Sequence, residues 1–304
     1  MKDIIGQYNV SRQIEMAYDF SINSFMAAPR GWWAETHILD TDKGKYFLKI
    51  FVSGLPFEKQ LRSSLKIHYE MSKYVDCIPK PIQTITNSLF HTLDNKRVIA
   101  LYSFIDGGKY ICDKASEILQ LLIPIYKLNI MCDSKYKYHF YAEKIITDMH
   151  KNVYDTKSNI CINFLKKNYV ALIKYWDDYK NLYNKVTTKD RELFITHGDL
   201  GVNLMIDKTG KLFIVDWDSV HLGPIERDLR EYINKDTDIK ELEEITKKAG
   251  LYWEFDKDYH NYFILNSLYD DLGGLYYEEQ TMANDVDKAN GHQRYLDNIE
   301  WKLM

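Results

Sequence analysis

His197-Gly198-Asp199-Leu200-Gly201-Val202-Asn203, followed by Asp216-Trp217-Asp218, is the stretch on which the reading of this chain turns. Short apolar segments bound both runs. Residues 193–196 read as a strand entering the first run, 204–206 as a strand leaving it, and 212–215 as a third strand ending at Asp216. Asp207-Lys208-Thr209-Gly210 supplies turn chemistry between the last two. Alone, His-Gly-Asp can be a simple turn capped by Asp199. Taken together, the pieces set two carboxylates and a carboxamide at strand ends, where a rigid sheet holds side chains that do chemistry. Phosphoryl transfer from a magnesium nucleotide needs such a set: one carboxylate to orient a hydroxyl and an oxygen pair to hold metal.

Composition narrows the field. The chain has 304 residues, 45% of them hydrophobic and 28% charged, as expected for a soluble globular protein of one large domain or two lobes. A net charge of −4 gives no general attraction to nucleic acid. The longest apolar run, residues 118–126, is interrupted and too short to span a bilayer, and the N-terminus has no apolar signal segment. Cys77, Cys112, Cys132 and Cys161 have neither metal-site spacing nor a partner His, so they read as reduced thiols of a cytoplasmic protein. The expected partners are a nucleotide and a small molecule, with no nucleic acid, membrane or obligate protein partner.

The first hundred residues mix strand and helix. Residues 34–39 and 45–51 are strand-like, joined by a polar turn ending at Gly44. Leu61, Leu65 and Tyr69 recur at helical spacing over 57–75, and Ile78-Pro79-Lys80-Pro81 stops that helix. Strands follow near 81–86 and 98–104, and Asp106-Gly107-Gly108 breaks the pattern. The remainder is mostly helical, with apolar spacing over 114–131, 140–154, 160–186, 239–249, 259–279 and from about 285. The expected division is 1–105 and 106–304.

Lys49 lies within an apolar strand, and alternation puts it on one face with Phe47 and Phe51. Such a lysine either snorkels or meets an anion. Residues 26–33 precede the strand that would pair with it; they form either a hairpin connection or a loop whose backbone N–H groups near Gly31 cover a phosphate. Asp228 opens a further helix, where its carboxylate caps the N-terminus or braces the polar run; a structural role suits Asp228, Glu226 and Arg227 better than chemistry.

These motifs together resemble the aminoglycoside phosphotransferase family, which shares its fold with the eukaryotic-type protein kinases; residues 216–229 are most similar to the spectinomycin phosphotransferase branch. The resemblance spans nearly the whole chain. It implies an α+β, bilobal protein-kinase-like fold: a small antiparallel-sheet N-lobe with one main helix (1–105, nucleotide-binding), and a larger, mostly helical C-lobe (106–304). It implies that Asp199 is the catalytic carboxylate, that Asp216 and Asn203 bind Mg2+, and that Lys49 contacts the phosphates of ATP or GTP. Gly31 would lie in the phosphate-covering loop, and backbone groups of Ser103 and Ile105 would hold adenine at the hinge. Lys49 would need a helix glutamate, Glu70 or alternatively Glu58.

One departure stands out. The family places four residues between its Asp and its Asn, whereas Leu200-Gly201-Val202 gives three. Either the loop is tightened, with Gly201 taking an unusual backbone angle, or Asn203 is displaced from the metal.

Over residues 254–300, eleven acids face three bases, a difference of −8. An acidic surface there would attract an amine-bearing substrate; otherwise it is a solvated helix face. Asp218, Asp270, Asp271, Glu278 and Glu279 are the candidate substrate contacts. The expected activity is an ATP- and Mg-dependent phosphotransferase acting on a hydroxyl of a small cationic molecule such as an aminoglycoside or aminocyclitol antibiotic. The alternatives are a metabolic kinase for choline, homoserine or a sugar, and a catalytically weak nucleotide-binding or structural homologue.

Overall fold

The computed structural model describes residues 2–28, 34–51, 58–131, 135–137, 147, 160–277 and 286–304. Contacts gather them into two compact units. One comprises residues 1–112, 124–134 and 197–221, the other 113–123, 135–196 and 222–304.

The first unit is built on an antiparallel sheet in the order β1 (Ile22–Ala27), β2 (Ala34–Thr41), β3 (Gly44–Phe51), β6 (Val98–Ser103), β4 (Pro81–Ile82), with β5 (His91–Thr92) also on β6. Gly44 turns the β2–β3 hairpin at φ +113°, a conformation costly for residues with a Cβ. The period-2 alternation then divides the strands between two cores. Leu48, Ile50, Ile99 and Leu101 pack against Ile14, Ala17 and Tyr18 of α1 (Lys2–Tyr18). Phe51, Val98, Ala100 and Tyr102 pack on the opposite face against Leu61 and Leu65 of α2 (Glu58–Met71). The sequence reading gave the two central strands and α2 but did not resolve α1 as an element; most of its first half is polar and carries no clear apolar stripe.

β8 (Phe194–Thr196) is a short strand ahead of His197, and a second antiparallel sheet runs β10 (Leu212–Ile214), β9 (Leu204–Asp207), β7 (Gly107–Lys109). Gly107 and Gly108 break the hydrophobic pattern, yet they form a strand. A Cβ on Gly107 would lie 2.0 Å from the Ile206 carbonyl oxygen, so the close pairing of β7 with β9 needs a glycine there.

In the second unit, α4 (Ile160–Val186), α7 (Lys257–Tyr277) and α8 (Val286–Asp297) enclose a tyrosine-rich core. Tyr179 stacks on Tyr262 and Tyr269 at 5.5 and 5.1 Å between centroids. The hydroxyls find acceptors: Tyr179 on Asn266 Oδ1 and Tyr269 on the Leu172 carbonyl. Tyr269 therefore fills the core. The short α5 (Glu226–Leu229) is wholly buried, and Ile225, not Asp228, precedes it as its cap. α6 (Ile239–Lys248) begins at Asp238, whose carboxylate accepts from the N–H groups of Lys240 and Glu241.

The helix expected over 114–131 is shorter, α3 (Ala115–Tyr126). The one expected over 140–154 lies almost wholly outside the described residues. No helix among the described residues is long and apolar enough to cross a membrane.

Candidate active site

Lys49, Ser103, Ile105, Asp199, Asn203, Asp216 and Asp218 all belong to the first unit, and their geometry is set within it. Lys49 occupies the middle of β3, in register with Thr36 on one side and Ala100 on the other. It is 7% exposed, with its ammonium 5.7 Å from the ring centre of Tyr102. An isolated charge in that place would be costly. The charge is met by two carboxylates: Nζ lies 2.5 Å from Asp216 Oδ1 and 2.7 Å from Asp218 Oδ2. Lys49 therefore meets anions and does not snorkel.

These ion pairs dominate the local electrostatics. Burial acts to lower the Lys49 pKa, but Asp216 and Asp218 outweigh it and hold the ammonium well above its usual value. Burial likewise acts to raise the Asp216 carboxyl, and Lys49 reverses that to a net lowering. Asp218 goes the other way: burial dominates, the neighbouring Asp216 charge adds to it, and its pKa rises.

Both aspartates project from one turn because of the backbone between them. Asp216 has φ 65° and ψ 57°, a left-handed conformation uncommon for a residue with a Cβ. It leads into a single 3-10 turn, Trp217–Ser219. Trp217 is buried, and its Nε1–H donates to the Ile214 carbonyl at 2.9 Å. A left-handed aspartate held by a buried anchor is strain of the kind that collects at functional sites.

His197 ties the two polar runs together. Its Nε2–H donates to the Val215 carbonyl at 2.8 Å, and its Nδ1 accepts the Asp199 N–H at 3.1 Å. The ring packs edge-on against Trp217 at 4.6 Å. Asp199 itself is exposed. The loop of three intervening residues is accommodated: the Asn203 N–H donates to the Leu200 carbonyl at 2.9 Å, and the Val215 N–H donates to the Asn203 carbonyl at 2.9 Å. Gly198, at φ +84°, takes the positive backbone angle; Gly201 does not. Asn203 Nδ2 donates to the Asp199 carbonyl at 2.6 Å and approaches Asp199 Oδ2 at 3.3 Å. Because its N–H groups are used this way, Asn203 presents Oδ1 as an acceptor.

Among the described residues, no cluster of three or more His, Cys, Asp or Glu forms a metal site. Mg2+ bound beside nucleotide phosphates asks for less, one or two protein oxygens with phosphates and water completing the shell. The Asp216 carboxylate and Asn203 Oδ1 are hard oxygen donors of that kind, carried on segments joined by the Val215–Asn203 bond. The donor set fits the ion.

Glu70 is not brought to Lys49. Its carboxylate holds Lys73 at 2.7 Å, in the turn just past the end of α2. At 100° per residue, Glu70 sits about 120° around the helix from Ser64, and Ser64 is the residue that meets the turn carrying Asp218: its Oγ donates to the Asp218 carbonyl at 2.8 Å. The Glu58 side chain and all of Gly31 lie outside the described residues.

At the expected hinge, Ser103 is already engaged. Its N–H donates to the Lys80 carbonyl and its Oγ accepts the Lys80 N–H, both at 2.8 Å. The Ile105 carbonyl accepts from Gly107 N–H at 3.1 Å.

In the second unit, Asp270 is exposed on α7, and Asp271 follows it on the same helix; Glu278 and Glu279 lie outside the described residues. Several of the other late acids hold the helices together. Asp256 and Asp258 bind Lys189 at 2.7 and 3.0 Å, and Glu300 binds Lys174 at 3.1 Å.

No family model and no curated protein matches the sequence. Solved structures do match its fold. The spectinomycin phosphotransferase APH(9)-Ia, in complex with ADP and spectinomycin, superposes with a TM-score of 0.72 at 18% identity, covering 96% of this chain and 93% of that one. The chain has the aminoglycoside phosphotransferase fold. A microcompartment-associated aminopropanol kinase gives a TM-score of 0.65 at 12% identity, over 96% and 95% of the two chains. The choline kinase LicA from Streptococcus pneumoniae gives 0.60 at 16% identity, over 98% of each. In the phosphotransferase fold, the antiparallel sheet carries Lys49, and the loops around β9 and β10 carry Asp199, Asn203 and Asp216.

The sequence alone did not find Ser64, nor the pairing of Asp218 with Lys49. A serine in mid-helix and the second acid of Asp216-Trp217-Asp218 carry no local signal of that role.

Proposed function

We propose that this chain is an ATP- and Mg2+-dependent kinase of the cytoplasm that phosphorylates a hydroxyl group on a small amine-bearing molecule, with aminocyclitols and aminoglycosides first among them. One observation carries the reading: a buried lysine held by Asp216, while His197 and Asn203 bond the Asp216 segment to the loop of Asp199.

In this reading Asp199 accepts a hydrogen bond from the substrate hydroxyl, aims its oxygen at the terminal phosphorus and takes its proton as the new P–O bond forms and the bond to ADP breaks. The bonds to His197 and from Asn203 fix the main chain of Asp199, and Asn203 Nδ2 reaches its carboxylate at 3.3 Å. Lys49 offsets the charge of the nucleotide phosphates from a dry position, where a fixed charge acts more strongly than in water. Bound Mg2+, held by Asp216 and Asn203, would neutralise phosphate charge further. With the Ser103 N–H used by Lys80 and the Ile105 carbonyl by Gly107, the Ser103 carbonyl and the Ile105 N–H are the groups proposed for adenine. Support for an amine-bearing substrate comes from exposed Asp270 and from fold neighbours described with spectinomycin, aminopropanol and choline, each a nitrogen-bearing alcohol.

The test is ADP release across a panel of amino alcohols, aminocyclitols, homoserine and sugars, with and without Mg2+. Mg2+-dependent turnover is expected with at least one amine-bearing alcohol. Asp199→Asn is expected to lower kcat by about 10²–10⁴-fold without changing the melting temperature. Near-normal turnover in that variant would remove Asp199 from the role. ATP binding with no turnover on any alcohol would favour the non-catalytic homologue.

A further inference from the structure

The helix α2 presents no carboxylate to Lys49 among its described side chains. Its buried residues are Leu61, Ser64, Leu65, Ile67, His68 and Met71. Ser64 and His68, one turn apart, cover the Trp217–Ser219 turn. Ser64 Oγ donates to the Asp218 carbonyl at 2.8 Å, and the His68 ring lies 6.2 Å from that of Trp217. His68 is itself fixed, its Nε2–H donating to the Pro79 carbonyl at 2.6 Å. The helix therefore grips the main chain of the residue whose carboxylate binds Lys49 at 2.7 Å.

Lys49 has two carboxylates, and under the proposed function one of them, Asp216, is also a metal ligand. A carboxylate committed to a dication attracts an ammonium less. Asp218 is the partner left to hold Lys49 in place.

We propose that Asp218 is the positioning residue for Lys49, and that Ser64 of α2 sets Asp218, so that a hydroxyl-to-backbone contact does the work of a helix glutamate. This rests on the kinase reading for its consequence, nucleotide affinity, but the pairing itself does not depend on that reading. It also reassigns Asp218, which the sequence reading grouped with the substrate contacts.

Two measurements separate the cases. The first is a double-mutant cycle in melting temperature on the full chain without nucleotide, using Lys49→Met, Asp218→Asn and both. A double variant that loses less than the sum of the two single losses is expected, because Lys49→Met leaves Asp218 without its cation and Asp218→Asn takes from Lys49 one of its two carboxylates. Additive losses would overturn the pairing.

The second is ATP binding by calorimetry, with Mg2+ and again in EDTA, together with KM for ATP and for the alcohol. Asp218→Asn is expected to weaken ATP binding and raise its KM by about 10-fold or more, with the KM of the alcohol unchanged. Asp218→Glu should restore part of the loss. Ser64→Ala should give a smaller loss of the same kind, which Ser64→Thr reverses by returning the hydroxyl. Glu70→Gln should stay within about two-fold of the unmodified protein. A loss confined to Glu70→Gln, or a rise only in the KM of the alcohol for Asp218→Asn, would overturn the proposal. If the unmodified chain binds no ATP, the kinase reading fails, and the melting cycle still decides the pairing.

Discussion

The imidazole of His197 lies 2.8 Å from the carbonyl oxygen of Val215, so the segment carrying Asp199 is bonded to the one carrying Asp216 by a side chain that is itself fully buried. Its other nitrogen accepts the Asp199 N–H, and the ring thus sets both the position of Asp199 and its distance from the segment after β10.

His197→Ala removes both bonds and leaves a part-buried carbonyl without its donor, a cost of about 1–3 kcal/mol. A loosened Asp199 should also lower kcat by about 10²-fold, since small displacements of a positioned group are expensive. Denaturant melts and steady-state kinetics check both. A destabilised variant with full kcat would show that His197 only stabilises the fold.

The two neighbouring glycines of β7 should respond oppositely to alanine. At Gly107 the new Cβ would meet the Ile206 backbone, which cannot swing aside, whereas at Gly108 nothing lies within 4 Å. Gly107→Ala should cost about 1–3 kcal/mol or more, and Gly108→Ala should stay within about 1 kcal/mol. Urea melts of the two variants make the comparison. Equal effects would show that β7 does not pair as closely as its backbone indicates.

Glu226 anchors the second unit. One of its carboxylate oxygens accepts from Arg191 at 2.8 Å, from the Trp253 indole at 3.0 Å and from the Asp256 N–H at 2.9 Å. Burial raises its pKa, and Arg191 opposes that rise. Glu226→Ala strands three donors, one of them charged, and should lower stability by about 3–5 kcal/mol. Glu226→Gln, which keeps an acceptor oxygen, should lose less. A loss below about 1 kcal/mol for the alanine variant would mean that the network carries little energy.

His260 makes stability depend on pH. It is fully buried: Nε2–H donates to the Lys302 carbonyl, while Nδ1 has no hydrogen-bond partner. Burial lowers its pKa to about 4, with the bond to the Lys302 carbonyl and the Glu231 charge opposing, and the charges of Lys302 and Arg230 adding to the fall. The folded value lies below the unfolded one of about 6.5, so the unfolded chain binds the extra proton first. The contribution is complete above pH of about 6.5 and is lost as pH falls toward about 4, reaching about 3 kcal/mol there. His260→Gln should flatten the slope of stability against pH across that window, measured by urea melts at several pH values. An unchanged slope would place the acid sensitivity elsewhere.

Much of the fold and part of the site are local properties of this sequence. Strand alternation around Lys49, the apolar spacing of α2 and α4, and the turn residues between β9 and β10 depend on neighbours a few positions away. They can be read without knowing where the rest of the chain goes. The polar runs at Asp199 and Asp216 were legible for the same reason, since each interrupts an apolar pattern. Partners across the chain were not. Lys49 binds Asp216 and Asp218 across 167 and 169 residues, while Glu70, with the right chemistry, turns to Lys73 three residues away. The late acids that looked like one patch divide between bonds to α4, the segment after it and open surface for the same cause. Sequence determined which residues carry charge and which faces are apolar. Packing decided which charges meet, because a carboxylate goes to whichever cation the core brings near it, and that depends on how α2 and the turn after β10 rest on the sheet.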